Sequence, residues 1–342
     1  MPSDAVGDDN AKWEWQPDQV LSDRYRVGEC LQRSATCYLY RILDIFRNAT
    51  HLALRPSRET LAEEGGREWF ERFCRAALSV PQHRNLLLCN RLDHDKDVPC
   101  LIMEDIGGQT WDAAIAAGQL TELHTMLDVA IQVARALAWL HENGRIHANL
   151  KPANVILAPD GTAKIFKYGE EDTLTRAYAS PEQMAGEHSL TRATDVWSWA
   201  ASVLQMFCGM VIWHDGPRAP DALTVYVENG PAEPAISLMP VPVVELLKRC
   251  FQSDPNDRPA SMTEIAEAAE KIFGDVTNTP YAAAATGQDE VSSVEETLVD
   301  PEPGPPSDAE ADRRVKKPPR RRRFSRNRHD RDADEGRRRP HR

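Results

Sequence analysis

Four side chains suited to polar chemistry lie within eight residues of one another. The stretch from His147 to Asn154 reads H-A-N-L-K-P-A-N. Lys151 supplies a cation, and Asn154 supplies an amide oxygen of the kind that can bind a metal ion. Asn149 can orient a hydroxyl group, but an amide has no proton-accepting carboxylate near neutral pH. The stretch therefore carries groups that position a reacting molecule, and Asn149 cannot act as the base that activates it.

This stretch resembles the catalytic loop of eukaryotic-type protein kinases, which reads H-R-D-L-K-P-x-N. Five positions match, namely His147, Leu150, Lys151, Pro152 and Asn154. Ala148 replaces the arginine, and Asn149 replaces the aspartate that accepts the substrate's hydroxyl proton in that family. The resemblance covers roughly residues 23–273, and the style of the motifs is similar to bacterial Hanks-type Ser/Thr kinases. It implies an α+β, two-lobed fold with a small antiparallel β lobe, a larger helical lobe and a disordered C-terminal tail.

Two further catalytic landmarks of the family are altered in the small lobe. The glycine positions of its phosphate-covering loop fall on Gln32, Ser34 and Cys37, which predicts an ordinary hairpin because side chains keep the backbone away from phosphates. The third strand ends Leu-Ala-Leu-Arg, so Arg55 replaces the phosphate-binding lysine. Counting back from His83, Cys74 replaces the helix glutamate that pairs with this lysine, and Glu71 is an alternative candidate one turn earlier.

The magnesium-binding D-F-G motif appears as Lys167-Tyr168-Gly169. A lysine offers donors only, so it reverses the charge that Mg²⁺ requires. Asn154 then marks a former Mg²⁺ position without a carboxylate beside it. We therefore expect no phosphotransferase activity from the degenerate positions, which are His147, Asn149, Lys151, Asn154 and Lys167.

The structural landmarks of the family's large lobe are retained. Glu182 follows Ser180-Pro181, and Arg258 occupies the position of the arginine that pairs with this glutamate. Asp195 occupies the position of the aspartate that anchors the catalytic-loop backbone, and Gly209 lies near the end of the same predicted helix. Structural positions are thus kept while catalytic ones are lost, which is typical of a pseudokinase.

Nucleotide binding is a separate question. The resemblance places Ala53, Met103 and Ile156 on the adenine pocket, with Glu104 to Ile106 as the hinge between the lobes. Arg55, Lys151 and Lys167 make the phosphate side cationic. One hypothesis is that Lys167 stands in for Mg²⁺ and permits weak, metal-independent ATP binding. The alternative is that Lys167 pairs with a nearby carboxylate such as Glu170 and fills the cleft, so that no cofactor is bound.

Composition changes along the chain predict its segments. Residues 1–22 are expected to be disordered, 23–273 to form the kinase-like domain (small lobe 23–103, large lobe 107–273), 274–312 to be an acidic linker and 313–342 a basic disordered tail. Alternating apolar residues predict strands at 25–31, 37–43 and 52–55, and helical spacing predicts helices at 67–79, 121–142, 241–251 and 261–273. Ser261 and Glu264 suggest a capping box on the last helix.

Charge and cysteine content restrict the class of protein. Residues 1–288 carry 40 acids and 26 bases, residues 289–312 carry nine acids and no base, and residues 313–342 carry 15 bases and four acids. Seven cysteines without a C-x-x-C pair and no signal peptide suggest buried thiols in the cytoplasm. Residues 196–213 contain no charge, yet their polar members favour a buried core helix over a membrane span.

The residues support three hypotheses of function. The first is a catalytically inactive signalling module that scaffolds proteins, with active kinases or phosphothreonine-reading domains as partners. The second is an atypical Ser/Thr kinase that binds ATP, and the third is a polyanion-binding protein that acts nonspecifically through residues 313–342. Two phosphorylation sites are predicted outside the domain, at Thr297 in T-L-V-D and at Ser325 in R-R-F-S.

Overall fold

A computed structural model describes residues 14–166, 175–186 and 190–282 of the chain. The described residues begin with a small lobe built on one antiparallel sheet of six strands, in the order β1-β2-β3-β4-β6-β5. The strands are β1 (Val20–Leu21), β2 (Tyr25–Arg33), β3 (Cys37–Asp44), β4 (Ala49–Pro56), β5 (Cys89–Asp95) and β6 (Val98–Glu104). Two helices, α1 (Arg58–Ala62) and α2 (Gly66–Leu78), follow β4.

The larger lobe is mainly helical. Its helices are α3 (Trp111–Ala116), α4 (Leu123–Glu142), α5 (Pro181–Met184), α6 (Arg192–Cys208), α7 (Ala219–Asn229), α8 (Val241–Cys250) and α9 (Met262–Thr277). A three-stranded sheet of β7 (Gln109–Thr110), β8 (Val155–Leu157) and β9 (Ala163–Ile165) lies at its upper edge. This is the two-lobed α+β architecture that the motifs predict, and the predicted strands and helices agree with the observed ones to within a few residues at most ends.

Helix α6 accounts for the long uncharged run at residues 196–213. Every residue from Thr194 to Cys208 is buried, so protein surrounds the helix on all sides. The helix can therefore carry uncharged residues on every face. Its three buried serine and threonine hydroxyls donate to oxygens nearby, as in the bond from Ser202 Oγ to the Ser198 carbonyl at 2.7 Å. Gly209 ends the helix with φ of 82°, a left-handed conformation that glycine adopts without strain. None of the described helices is long and apolar enough to span a membrane.

The expectation of disorder through residue 22 is wrong for residues 14–22, which we call the N-terminal strap. Trp15 is 4% exposed and packs against Tyr40 with ring centroids 5.1 Å apart. Its indole Nε1 donates to Asp95 Oδ2 at 2.9 Å. A tryptophan that buries its ring and satisfies its N–H contributes enough apolar contact to order a short polar segment.

The predicted domain end at residue 273 is also too early. Helix α9 continues to Thr277, and the Tyr281 hydroxyl donates to Asp128 Oδ1 at 2.7 Å. The Tyr281 ring packs edge-on against Phe273 with centroids 5.1 Å apart. The capping box proposed for α9 is half present. Ser261 caps the helix, but the Glu264 carboxylate accepts from Ala260 N.

Seven cysteines, all within the described residues, are free thiols. Five of them are buried, among them Cys250, whose pKa is raised by burial. Such thiols are poor nucleophiles because the reactive thiolate form is disfavoured.

The retained ion pair lies deep in the large lobe. The Arg258 guanidinium donates to both Glu182 oxygens, each at 2.8 Å, and the two side chains are almost fully buried. Arg258 also lies over the Trp197 ring at 5.0 Å. Burial alone would raise the pKa of Glu182, but the hydrogen bonds from Arg258 outweigh it and leave the pKa below its usual value. The pair therefore joins the segment around α5 to the loop before α9.

Replacing Glu182 with alanine leaves the Arg258 charge buried without its partner. We expect a loss of about 3–5 kcal/mol in the free energy of unfolding, measured by urea denaturation. Glu245→Ala is the matched control, because the Lys248–Glu245 pair is exposed and is worth less than about 1 kcal/mol. Equal losses in the two variants would contradict the role given to the buried pair.

Candidate functional site

The catalytic loop is held from beneath by one buried carboxylate. Asp195 Oδ2 accepts from His147 N and from His141 Nε2, both at 2.7 Å, and Oδ1 accepts from Ala148 N at 2.8 Å. Burial would raise the pKa of Asp195, but these donors outweigh it and the pKa is lowered. Asp195 therefore has the anchoring position that the sequence predicts.

Ala148 occupies the family's arginine position in a backbone conformation with φ of 58°. Alanine rarely adopts this left-handed region, so its neighbours must hold it there. Asp195 binds its N–H, and Gln183 Nε2 donates to its carbonyl at 2.7 Å. Gln183 was not among the predicted site residues, although Ser180-x-x-Gln183 is a capping-box signal that the structure confirms.

His147 is fully buried and has the geometry of a neutral imidazole. Its Nδ1 accepts from Asn149 N at 3.2 Å, and its Nε2 lies 3.2 Å from the Phe166 carbonyl. Burial lowers the pKa of His147, and the nearby Asp195 only partly offsets this. The residue is part of the internal support of the loop.

The polar residues of the loop also bind the protein itself. Asn154 Nδ2 donates to the Asn149 carbonyl at 2.8 Å, and Lys151 Nζ donates to Thr175 Oγ1 at 2.6 Å. Asn149 and Asn154 are both buried, and Asn154 Oδ1 has no hydrogen-bond partner among the described residues. The structure thus brings Asn149, Lys151 and Asn154 together at the expected place.

Strand β4 contradicts the predicted positions of Ala53 and Arg55. Ala53 packs with Trp15 and Tyr40 on the outer face of the sheet, away from the cleft. Arg55 lies on that same face, with its guanidinium 4.9 Å from the Trp15 ring centroid. Successive side chains of a strand point to opposite faces, so an alignment shifted by one residue reverses every assignment.

The cleft side of β4 carries Leu52 and Leu54 instead. Leu52 lines the cavity between the lobes, and Leu54 belongs to the apolar core that includes Phe70 and Cys74 of α2. Leu54 lies two positions after Leu52, so its side chain is on the same face of the strand. This is the face from which the family's lysine reaches the cleft. The cleft receives no cation from this strand.

The position on helix α2 that corresponds to the family's glutamate is also uncharged. Cys74 is buried against the sheet, and its pKa is raised by burial. Glu71, the alternative partner, points to the helix surface, where Arg75 Nη2 donates to it at 2.7 Å. The suggestion that Glu71 pairs with Arg55 is therefore wrong, and the buried residues Leu54 and Cys74 take the places of the family's lysine and glutamate.

Described residues line one small cavity between the lobes. The cavity lined by Leu31, Leu52, Asp105 and Ile156 measures about 190 Å³, whereas small-molecule sites usually range from about 300 to 1,000 Å³. Arg41, another lining residue, donates through Nε to Asp105 Oδ2 at 2.7 Å. This ion pair adds charged groups to a site where the family binds adenine.

The hinge residues are close to their predicted places. Met103 is buried in the core beside Leu52 in the strand register, Ile156 lines the cavity and Ile106 packs against the core. The Glu104 side chain accepts from Leu88 N at 2.7 Å and from Lys164 Nζ at 2.6 Å. Glu104 therefore serves to join β6 to the rest of the fold.

The degenerate glycine loop is a closed hairpin. Strand β2 ends at Arg33 and strand β3 begins at Cys37. Within the turn between them, Ser34 Oγ accepts a hydrogen bond from Cys37 N at 3.0 Å. Cys37 is fully buried, so the third glycine position contributes to the core. The hairpin prediction is confirmed.

The donors near the loop do not fit Mg²⁺. Asn154 Oδ1 is a single neutral amide oxygen, and magnesium is usually held by one or two carboxylates. Among residues 14–166, 175–186 and 190–282 there is no group of three or more His, Cys, Asp or Glu side chains that could hold a metal ion. Lys167, Tyr168, Gly169, Thr297, Ser325 and the basic tail lie outside the described residues.

Comparison with known proteins places this geometry in a family. Residues 71–270 match the protein kinase domain. The chain belongs to the protein kinase domain family. It is 26% identical over 276 residues to a probable serine/threonine-protein kinase of Clostridium acetobutylicum, covering 76% of this chain and 41% of that protein. It is 28% identical over 279 residues to the serine/threonine-protein kinase pkn2 of Myxococcus xanthus, covering 74% of this chain and 33% of that protein.

A solved structure with the same fold is the kinase domain of PknI from Mycobacterium tuberculosis. The TM-score is 0.59 at 20% sequence identity, and the match covers 75% of this chain and 99% of that domain. The chain spans only about two fifths of the length of the first Clostridium relative. The kinase family and the two-lobed fold are therefore shown.

The burial of His147 predicts a pH dependence of stability. Because its folded-state pKa is lowered, the unfolded chain takes up a proton below pH about 6.5 that the folded chain does not. Stability should fall as the pH drops from about 6.5, with this residue contributing at most about 1.4 kcal/mol per pH unit.

Urea denaturation between pH 5 and pH 7 tests this expectation. The variant His147→Asn should have a shallower slope of stability against pH than the original chain, even if it is less stable overall. His214→Asn is the control, because the His214 side chain is 86% exposed. An unchanged slope in His147→Asn would show that the buried imidazole is not the titrating group.

Proposed function

We propose that this chain is a pseudokinase, a kinase-fold protein without phosphotransfer that acts by binding other proteins. The observation that carries the proposal is the orientation of β4, which puts Arg55 against Trp15 on the outer face and leaves Leu52 and Leu54 on the face toward the cleft. Together with Cys74 on α2, this removes the ion pair that holds nucleotide phosphates in the family.

Rate magnitudes support inactivity over slow catalysis. The loss of a general base, as at Asn149, costs on the order of 10²–10⁴ in rate. Such a loss alone would leave detectable turnover. Phosphoryl transfer depends mainly on positioning and on stabilising charge at the phosphoryl oxygens. Among the described residues, β4 and α2 contribute the uncharged, buried Leu54 and Cys74 where the family has its charged lysine and glutamate.

The retained framework supports a binding role. Asp195 still holds the catalytic-loop backbone, and Glu182 and Arg258 still fix the segment around α5. A protein-binding surface requires a stable shape and does not require catalytic groups. We propose signalling proteins of the cytoplasm as partners, either active kinases or phosphothreonine-reading domains that recognise Thr297.

Restoring the missing base alone should not restore activity. In a ³²P-ATP assay with Mg²⁺ and a generic protein substrate, we expect no labelling by the original chain or by Asn149→Asp. The reason is that the β4 face and α2 still lack the charged pair. Magnesium-dependent labelling by the original chain that disappears in Asn149→Ala would contradict the proposal and favour an atypical Ser/Thr kinase.

Nucleotide binding is tested separately by thermal shift. Because the cavity is small and carries the Arg41–Asp105 pair, ATP at millimolar concentration should change the melting temperature by less than the repeat error, with or without Mg²⁺. A metal-independent shift would instead support weak ATP binding with Lys167 in place of the metal. The control is Leu52→Ala, which enlarges the cavity beside the hinge and would reveal binding blocked only by size.

A further inference from the structure

The turn that joins the N-terminal strap to β2 is strained. Ser22 and Asp23 have φ of 48° and 53°, and Arg24 N donates to the Leu21 carbonyl at 2.9 Å. This is a tight hairpin turn with both central residues in the left-handed region. Such turns favour Asn-Gly, because residues other than glycine, asparagine and aspartate pay a steric cost there. Ser22 therefore carries the strain of this turn, whereas Asp23 tolerates its conformation.

The strap carries its own set of specific contacts to the small lobe. Trp15 inserts against Tyr40 and Arg55 and donates to Asp95, and Arg33 pairs with Glu14 at 3.0 Å. Backbone bonds run from Val27 N to the Gln19 carbonyl and from Asp18 N to the Val27 carbonyl, both at 2.8 Å. The outer face of the sheet is therefore shaped for this segment.

Apolar side chains are exposed around the same turn. Val20, Ile45 and Phe46 are 48%, 38% and 76% exposed, and Ile45 N donates to the Arg24 carbonyl at 2.9 Å. They are three of the four large apolar side chains that the described small lobe exposes, Leu31 being the fourth. Three exposed apolar side chains in the segments next to this turn suggest a surface that another protein covers.

We propose that two copies of this chain exchange their N-terminal straps. The turn at Ser22 and Asp23 opens to an extended conformation, and each strap binds the outer face of the other copy's sheet with the contacts described above. Short strained hinges favour such exchange, because opening relieves the strain and loses only the contacts of the turn, such as the bond from Arg24 N to the Leu21 carbonyl, while the strap's contacts with the sheet are made again. Val20, Ile45 and Phe46 then lie near the two-fold axis, where the two hinges pass each other.

Strain alone does not select this turn. Lys96 and Asp97 form a second two-residue turn with φ of 46° and 69°, between β5 and β6. Both of those strands continue into other described elements, through Leu88 and through the hinge at Asp105, so neither can leave without unfolding the lobe. Among the described residues, the strap is joined to the rest of the chain through the turn at Ser22 and Asp23. The exposed side chains of Val20, Ile45 and Phe46 lie in the segments next to that turn.

Turn variants of the full chain test the proposal by sedimentation velocity over a range of concentrations. The double variant Ser22→Asn with Asp23→Gly relaxes the turn and should lower the dimer association constant at least about tenfold. Asp23→Val, which is β-branched and disfavours positive φ, should raise it. The matched control is Lys96→Asn with Asp97→Gly, which relaxes the same kind of turn elsewhere and should leave association unchanged.

Disulfide trapping distinguishes exchange from any other dimer. Val20 and Arg26 are Cα partners across β1 and β2. A mixture of the single variants Val20→Cys and Arg26→Cys should form a covalent dimer through the two introduced thiols, which peptide mass spectrometry identifies. Each variant alone should form no such mixed disulfide.

Two results would overturn the proposal. One is a wild-type chain and an Asp23→Val variant that both remain monomeric up to the solubility limit. The other is a dimer that forms without the mixed disulfide between positions 20 and 26, which would show that the copies associate through another surface. Phe46→Ser provides a further check, since it should weaken the exchanged dimer and leave the fold of the monomer intact.

Discussion

The buried carboxylate of Asp195 is the constraint on which the large lobe depends. It accepts hydrogen bonds from two successive backbone amides and from His141, so it fixes the start of the catalytic loop against the first turn of α6. It also stabilises Ala148 in a conformation that alanine would otherwise avoid. Because a buried carboxylate is costly without donors, the loop and the helix can hardly separate while this residue stays charged. The backbone of this loop is thus held in place although Asn149 occupies the position of the family's aspartate.

In the small lobe, the face of β4 on which each side chain lies decides which residues can reach the cleft. Leu52, Ala53, Leu54 and Arg55 are all buried, so both faces of β4 are covered. Alternation cannot show which face meets the cleft when both are buried, and the motif comparison alone chose wrongly by one residue. The position of Trp15 decides between the two faces, because Trp15 covers the outer face and the Arg55 guanidinium lies over its ring.

Much of the framework was predictable because it rests on spacing and residue type. Glu182, Asp195 and Arg258 were found from motifs, and the long helices from apolar periodicity. The strap was not predictable, since one tryptophan in a polar stretch gives no period. The Arg41–Asp105 pair was equally hidden, because its partners are 64 residues apart and neither belongs to a motif. Gln183 could have been found from its capping signal, but its contact with Ala148 depends on tertiary packing.

The burial of Leu54 and Cys74 in one apolar core has a consequence for movement within the small lobe. In an ion pair, the partners must keep one direction and distance, so a helix that leaves its place breaks a bond. Apolar packing has no such directional demand, and neither ligand charge nor salt concentration acts on it directly. At these two positions helix α2 and the sheet contribute to the core without an ion pair, so a shift of the helix would change buried apolar surface rather than break a bond between charges.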